Sequence, residues 1–321
     1  MTTRLATDTC SLAEAGRLLA EGALVAFPTE TVYGLGADAT DPKAVARIYS
    51  AKGRPSFNPL IAHVGTVEAA LRLGVFNDDA RKLAATFWPG PMTLVVPAAR
   101  DCAVCDLARA GLDTVAIRVP VDPVARAILQ SAGRPIAAPS ANVSGHVSPS
   151  EAQHVLADLD GKIDAIVMGS ASRVGVESSI FACLKGDTIQ LRPGAVTRAE
   201  AEQVIGRAIA IPDEVSETSP LSPGRLASHY APRAPLRLNA LEVRPGEACL
   251  AFGQEIPPGA TAALTRNLSP SGSLEEAAAN LYASLRHLDS LSPTGIAVVK
   301  FSEEGLGEAI FDRLLRAASP R

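Results

Sequence analysis

Helix-like and strand-like stretches alternate from residue 11 onward, and the places where the alternation stops restrict the fold most. "SLAEAGRLLAEG" sets Leu12, Ala15, Leu18 and Leu19 on one helical face, with Ser11 as the expected cap and Gly22 as the stop. "ALVAF" follows as a short buried strand. "DPKAVARIYSAK" opens with Asp41 at the cap and Pro42 at the first helical position, and "LIAHV" is the next strand. Strict alternation would build a parallel sheet. Around residues 92–119 and 178–192, however, "MTLVVPA" and "TVAIRVP", then "SSIFACL" and "TIQLRPG", come as strand pairs with no helix between them. The expectation is therefore an α/β domain with a twisted mixed sheet, partly antiparallel and flanked by helices. Ser148 with Glu151, and Thr197 with Glu200, read as capping boxes that start two further helices.

The second break is "PDEVSETSPLSPGRLASHYAPRAP", with five prolines in residues 212–235, which reads as a connector. Beyond it, "EACLAFG", "SLEEAAANLYASLRHL", "GIAVVKF" and "GLGEAIFDRLLRAA" form a β-α-β-α set. A chain of 321 residues is too long for one small core. The division expected is a large domain over 1–210, a linker or lid over 211–236, and a small Rossmann-like α/β domain over 237–321.

Net charge is −4 and the isoelectric point about 5.8, so no long-range basic field marks the chain as a nucleic-acid coat. Aromatic residues make up 4%, too few for a platform of stacked bases. Five scattered cysteines argue against a disulfide framework. Cys102 and Cys105 form one C-x-x-C with no second pair, which reads better as two ordinary thiols than as a zinc or redox site. The start, "MTTRLATDTC", has no apolar segment of a secretory signal, and no apolar run approaches the ~20 residues of a membrane span. A cytoplasmic location, without membrane contact, is the expectation.

The common catalytic motifs (P-loop, G-x-G-x-x-G, H-E-x-x-H, G-x-S-x-G) are absent. Four stretches are instead too polar and too constrained for simple turns. "FPTETVYGLGADA" places Thr29, Glu30 and Thr31 after a strand; a helix-capping turn explains them equally well. In "KGRPSFNPLIAHV", Lys52 and Arg54 suit a helix C-terminus, yet that does not explain Gly53, Pro55, Asn58 and Pro59, which lock the backbone beside them. Two fixed cations and an amide donor suit a phosphate-binding corner. His63, in the strand that follows, is by itself more like an ordinary core histidine. In "TVAIRVP", Arg118 interrupts an apolar strand and must meet an anion, either a carboxylate of the protein or one on a ligand. "APSANVSGHVSPS" offers backbone amides and hydroxyls at a strand end, where phosphates can be cradled.

Taken together, "PTETVYGLGADA", "KGRPSFNPL", "WPGPMTLV", "AIRVP", "APSANVSG", "VESSI" and "LRPGAVT" resemble, in order, the YrdC-like family of L-threonylcarbamoyladenylate synthases, over residues about 22–200. The proline-rich "SPGRLASHYAP" followed by a small domain resembles the long, two-domain form, although the likeness is vaguer after residue 240. The resemblance implies a nucleotidyltransferase that makes threonylcarbamoyl-AMP and pyrophosphate from L-threonine, bicarbonate or CO2, and ATP, with Mg²⁺ accompanying the ATP. It implies a downstream threonylcarbamoyl transferase complex as partner, acting on tRNA. It also implies site residues: Thr31, His63, Arg118 and Ser178 for threonine; Lys52, Arg54, Asn58 and Thr114 for ATP. Ser140, Asn142, Ser148 and Arg192 would complete the ATP contacts, with Tyr230 closing over the nucleotide. Lys52 and Arg54 would be the catalytic pair, and no protein side chain is implied as a metal ligand. Ala138 departs from relatives that carry threonine there. The rival is an RNA-binding protein of the same fold without adenylation activity; a weak RNA contact is also compatible with the enzyme.

Overall fold

The structure, a computed structural model, describes residues 1–55, 58–211 and 229–320. Ten strands form the large sheet: β1 (Thr3–Leu5), β2 (Val25–Phe27), β3 (Gly34–Asp38), β4 (Ile61–His63) and β5 (Met92–Pro97), then β6 (Thr114–Arg118), β7 (Ile136–Ala137), β8 (Ala165–Val167), β9 (Ser179–Ala182) and β10 (Ile189–Arg192). Their spatial order is β1-β8-β2-β3-β7-β4-β6-β5-β9-β10. The sheet is mixed. β4 runs parallel to β6 and β5 parallel to β9, whereas β5 with β6 and β9 with β10 are antiparallel. The last two pairs are the strands that follow one another without an intervening helix.

Seven helices flank this sheet among the described residues: α1 (Thr9–Ala20), α2 (Pro42–Lys52), α3 (Val67–Leu71), α4 (Asp78–Phe87), α5 (Pro123–Ala132), α6 (Ala152–Leu159) and α7 (Arg198–Ile205). α2 shows how local sequence sets the functional corner. The Asp41 side chain accepts from the Lys43 N–H, Pro42 occupies the first turn, and Gly53 ends the helix with φ +60°. That left-handed cap turns the chain sharply between Lys52 and Arg54.

Two helix starts differ from expectation. α1 is capped by Asp8, whose carboxylate accepts from the N–H groups of Cys10 and Ser11, while the Ser11 hydroxyl donates to the same carboxylate. The Ser148–Glu151 capping box does not form: Glu151 precedes α6 without a side-chain cap, because the Ser148 hydroxyl donates inward to Glu177 at 2.6 Å. The Thr197–Glu200 box is present.

The small domain has four parallel strands, β11 (Leu236–Arg237), β12 (Glu247–Ala251), β13 (Thr265–Asn267) and β14 (Gly295–Val298), in the order β11-β14-β12-β13. Helices α8 (Leu274–Ser290) and α9 (Leu306–Ala318) complete it. The β-α-β-α expectation lacked β11 and β13. Both are very short, and "TRN" carries no apolar run to betray a strand. Of the expected connector, residues 212–228 lie outside the described residues, as do 56 and 57 in the cationic corner.

The apolar core of the small domain does not stop at the domain junction. Val32, Val147 and Val176 of the large domain pack with Tyr230, Leu281 and Tyr282 in one buried cluster. Gly175 backs onto α8 so closely that an added Cβ would lie 2.1 Å from the Ala278 carbonyl oxygen.

Candidate active site

Cross-strand register assembles the polar cluster. Thr93 on β5 pairs with Arg118 on β6, and Arg118 with His63 on β4. Paired residues in adjacent strands present their side chains on the same face. Around these three, Thr31 arrives from the loop after β2, Ser140 from the loop after β7, Ser178 from the turn before β9, and Arg192 from the end of β10. A cavity lies over them and is bounded on one side by His229 and Tyr230.

Arg118 is nearly inaccessible and does meet an anion inside the protein. Its Nη2 donates to Glu30 Oε1 at 2.6 Å and its Nη1 to the Thr31 hydroxyl at 2.8 Å. Burial pushes the Glu30 carboxyl up, but the charge and hydrogen bond of Arg118 outweigh it, and the group ends below its ordinary value. The guanidinium is thereby held in one orientation at the cavity wall. His63 places Nδ1 3.1 Å from the Ile61 carbonyl, so that nitrogen carries the proton and donates. Burial, helped by Arg118, pulls the imidazole pKa down to about 3, so His63 is neutral near pH 7. The Ser178 hydroxyl lies 2.8 Å from that of Thr93, and Arg192 donates through Nε to the Ser178 carbonyl and through Nη2 to its hydroxyl.

Arg54 differs from Arg118. It is buried at 8% exposure and lines the cavity, yet among the described residues no carboxylate lies within 4 Å of it. Its Nη2 reaches the Pro59 carbonyl at 3.2 Å, and its Nε has no partner. Burial pulls its pKa down to about 10, which still leaves it charged at pH 7. Nearby, both amide atoms of the buried Asn58 lack partners, as does the Asn142 Oδ1. A buried cation without a protein anion, and buried amide atoms without partners, are the groups an anionic ligand would satisfy.

The remaining candidates divide. The Tyr230 ring lines the cavity in a strained backbone at φ +61°, with its hydroxyl unpartnered. Lys52 is not part of the lining: its ammonium is buried behind the loop, where it donates to the carbonyls of Ser140 at 2.5 Å and Asn142 at 2.6 Å. Burial lowers its pKa well below the ordinary value. Asn142 Nδ2 donates to the carbonyls of Val143 and His146. Ser148 sits behind the wall on Glu177. Thr114 begins β6, at the opposite end of that strand from Arg118, and does not line the cavity.

Sequence reasoning assigned no role to Glu30, Glu177 or His229. The two carboxylates lie inside "PTET" and "VESS", and each proves to be matched by a buried arginine. His229 lines the cavity beside Tyr230, with its pKa pulled down to about 3 by burial and then by Arg54. Among the described residues no group of three or more His, Cys, Asp or Glu is arranged to hold a metal ion, and no helix is long and apolar enough to cross a membrane.

Comparison with known families shows which family the chain belongs to. The family model Sua5/YciO/YrdC, described as "Telomere recombination", matches residues 17–194, and the model for the threonylcarbamoyl-AMP synthase C-terminal domain matches residues 196–319. The chain belongs to the threonylcarbamoyl-AMP synthase family. A threonylcarbamoyl-AMP synthase of Bacillus subtilis (strain 168) is 41% identical over 339 aligned residues, covering 100% of this chain and 96% of the relative. One from Pyrococcus abyssi is 39% identical and covers 96% of this chain and 94% of its own length. The crystal structure of P. abyssi Sua5 complexed with L-threonine superposes with a TM-score of 0.89 at 37% identity, covering 99% of this chain and 97% of the other. The chain therefore has the two-domain synthase fold over its whole length.

Proposed function

We propose that the cavity makes threonylcarbamoyl-AMP from L-threonine, bicarbonate or CO2, and ATP, with release of pyrophosphate. The observation that carries the reading is the pairing of two unlike arginines in one cavity. Arg118 is pre-oriented by Glu30, whereas Arg54 is a buried cation with no protein anion to meet it. Thr31, His63, Arg118 and Ser178 hold the amino acid, with Arg118 facing its carboxylate. A neutral His63, its Nδ1 proton held by the Ile61 carbonyl, offers Nε2 as an acceptor without adding charge beside Arg118.

Arg54, Asn58 and Arg192 meet the triphosphate, and Ser140 and Tyr230 border the nucleotide. Thr114, Asn142 and Ser148 remain proposed ATP residues, the last two acting through the loop they brace. Lys52 supports Arg54 by fixing that loop through the carbonyls of Ser140 and Asn142. The neutral threonine amine adds to CO2, and the adduct loses a proton to solvent to give a carbamate. A carbamate oxygen then attacks the α-phosphorus in line, the P–O bond to pyrophosphate breaks, and its electron pair leaves with pyrophosphate. No covalent enzyme intermediate is needed; positioning and fixed positive charge supply the rate.

Mg²⁺ enters with ATP as part of the substrate. Glu30 and Glu177, the carboxylates nearest the cavity, are engaged by arginines, so the phosphates themselves are the group suited to hold it. We place the enzyme in the cytoplasm, divide the chain at 1–210, 211–236 and 237–321, and assign residues 211–236 as a lid that shields the carbamate from water. The product supplies a transferase complex that modifies tRNA; any RNA contact of this chain is weak. The test is pyrophosphate release with threonine and bicarbonate each omitted in turn. Release that requires both supports the reading, and release that ignores threonine overturns it.

A further inference from the structure

Arg313, on α9 of the small domain, is the largest fully buried side chain of the described residues. Its guanidinium grips the wall of the large domain's cavity. Nε donates to Glu177 Oε2 at 3.1 Å, Nη2 to the Glu177 carbonyl at 3.3 Å, and Nη1 to the Pro193 carbonyl at 2.7 Å. From α8, the Tyr282 hydroxyl donates to the same Glu177 oxygen at 2.8 Å. The Tyr282 ring stacks on Tyr230 with centroids 5.9 Å apart, and the Arg313 guanidinium carbon sits 5.6 Å from the Tyr230 ring centre. The three things held, Glu177, Pro193 and Tyr230, are not scattered over the interface. Glu177 precedes Ser178, Pro193 follows Arg192, and Tyr230 itself lines the cavity. An interface needing only stability would do as well or better with apolar groups, since a buried ion pair seldom outperforms them.

We propose that Arg313 and Tyr282 are positioning residues of the reaction: through them the small domain fixes the turns carrying Ser178 and Arg192 and seats Tyr230, so that the site is incomplete without the second domain. This rests on the synthase reading above. The coupling runs through charge. Glu177 faces the cavity, and the cations that hold its carboxyl in the ionised form are Arg313 first and Arg192 second. With Arg313 in place the carboxylate is matched from behind the wall. With Arg313 neutralised, Glu177 turns its charge on Arg192 and competes with the phosphates of the nucleotide for it. The loss should therefore fall on ATP rather than on threonine.

The test uses the full chain and steady-state pyrophosphate release. R313Q should raise the KM for ATP by about 10–100-fold, the scale of a lost charge-assisted contact, with a much smaller change for threonine. The double variant E177Q/R313Q, which removes both members of the ion pair, should return the ATP KM to within a few-fold of wild type. Should R313Q fail to fold, Y282F, which removes the other donor to Glu177 Oε2, carries the test: it should raise the ATP KM more than the threonine KM, and an unaltered ATP KM would overturn the inference. R237Q, which breaks the Arg237–Glu247 pair inside the small domain far from the cavity, reports generic weakening of that domain and should leave both KM values unchanged. The inference is overturned if R313Q folds with an unaltered ATP KM, if it affects both substrates equally, or if the double variant is as impaired as the single. Wild-type chain that releases no threonine-dependent pyrophosphate would instead sink the synthase reading itself.

Discussion

Arg54 should be a residue that the protein would be more stable without. Its guanidinium is 8% exposed, and no carboxylate of the described residues lies within 4 Å. Burial has carried its pKa from the ordinary arginine value to about 10. Holding it charged in the empty site therefore costs ~3 kcal/mol, at 1.36 kcal/mol for each pKa unit. Replacing it by methionine keeps most of the volume and removes the charge. Folding stability of the ligand-free protein should rise, by about 1–3 kcal/mol once the lost hydrogen bond to the Pro59 carbonyl is set against the relief. Turnover should move the other way. If Arg54 meets the phosphates mainly as charge develops in the transition state, kcat/KM for ATP should fall ~10²–10³-fold, or ~2.7–4 kcal/mol. Thermal unfolding without ligands and pyrophosphate release with saturating threonine check the two halves separately. A variant that is less stable than wild type, or one that turns over normally, would refute the reasoning, because either result means Arg54 already has its anion elsewhere.

Other outcomes follow from the same geometry. Arg118→Ala should raise the KM for threonine far more than that for ATP in the same pyrophosphate assay, and it should also destabilise the fold by ~3–5 kcal/mol because Glu30 is left buried and unpaired. Gly175→Ala forces a side chain into a φ of +76° and against the α8 backbone; a loss of at least about 1–3 kcal/mol in thermal or denaturant unfolding, together with lower activity, is expected. Acid should destabilise the protein early. His63 and His229 have folded pKa values of about 3, and His154 of about 4, all below the unfolded value. Between about pH 6.5 and 3 the unfolded chain thus binds more protons, and stability that is complete above pH 6.5 is lost as pH falls, by up to ~1.4 kcal/mol per pH unit for each histidine. Denaturant titrations from pH 8 to 4 would show it, and His63→Gln should make the slope shallower.

Much of this site could be read from residue order because its signals are local. A charge inside an apolar strand marked Arg118, a cation pair against glycine and prolines marked the corner at Arg54, and unpaired strand runs near 92–119 marked the mixed sheet. What escaped was set by distant contacts. Nothing near Ser148 in sequence announces that its hydroxyl will prefer Glu177, so a local capping rule claimed it. Glu177 and Arg313 are 136 positions apart, and only the folded packing of α9 against the large domain makes them a pair. Lys52 stands beside Arg54 in sequence, but its two carbonyl partners, on Ser140 and Asn142, lie 88 and 90 positions away. Pattern rules assign residue types to a chemistry; which partner each one meets depends on long-range register.

The most direct check is a crystal structure of the full chain with L-threonine and a non-hydrolysable ATP analogue bound together. The account predicts one cavity holding both, with the amino-acid carboxylate against Arg118, the phosphates against Arg54 and Arg192, and Tyr230 over the nucleotide. Phosphates bound away from Arg54, or threonine lodged anywhere but beside His63 and Arg118, would contradict it.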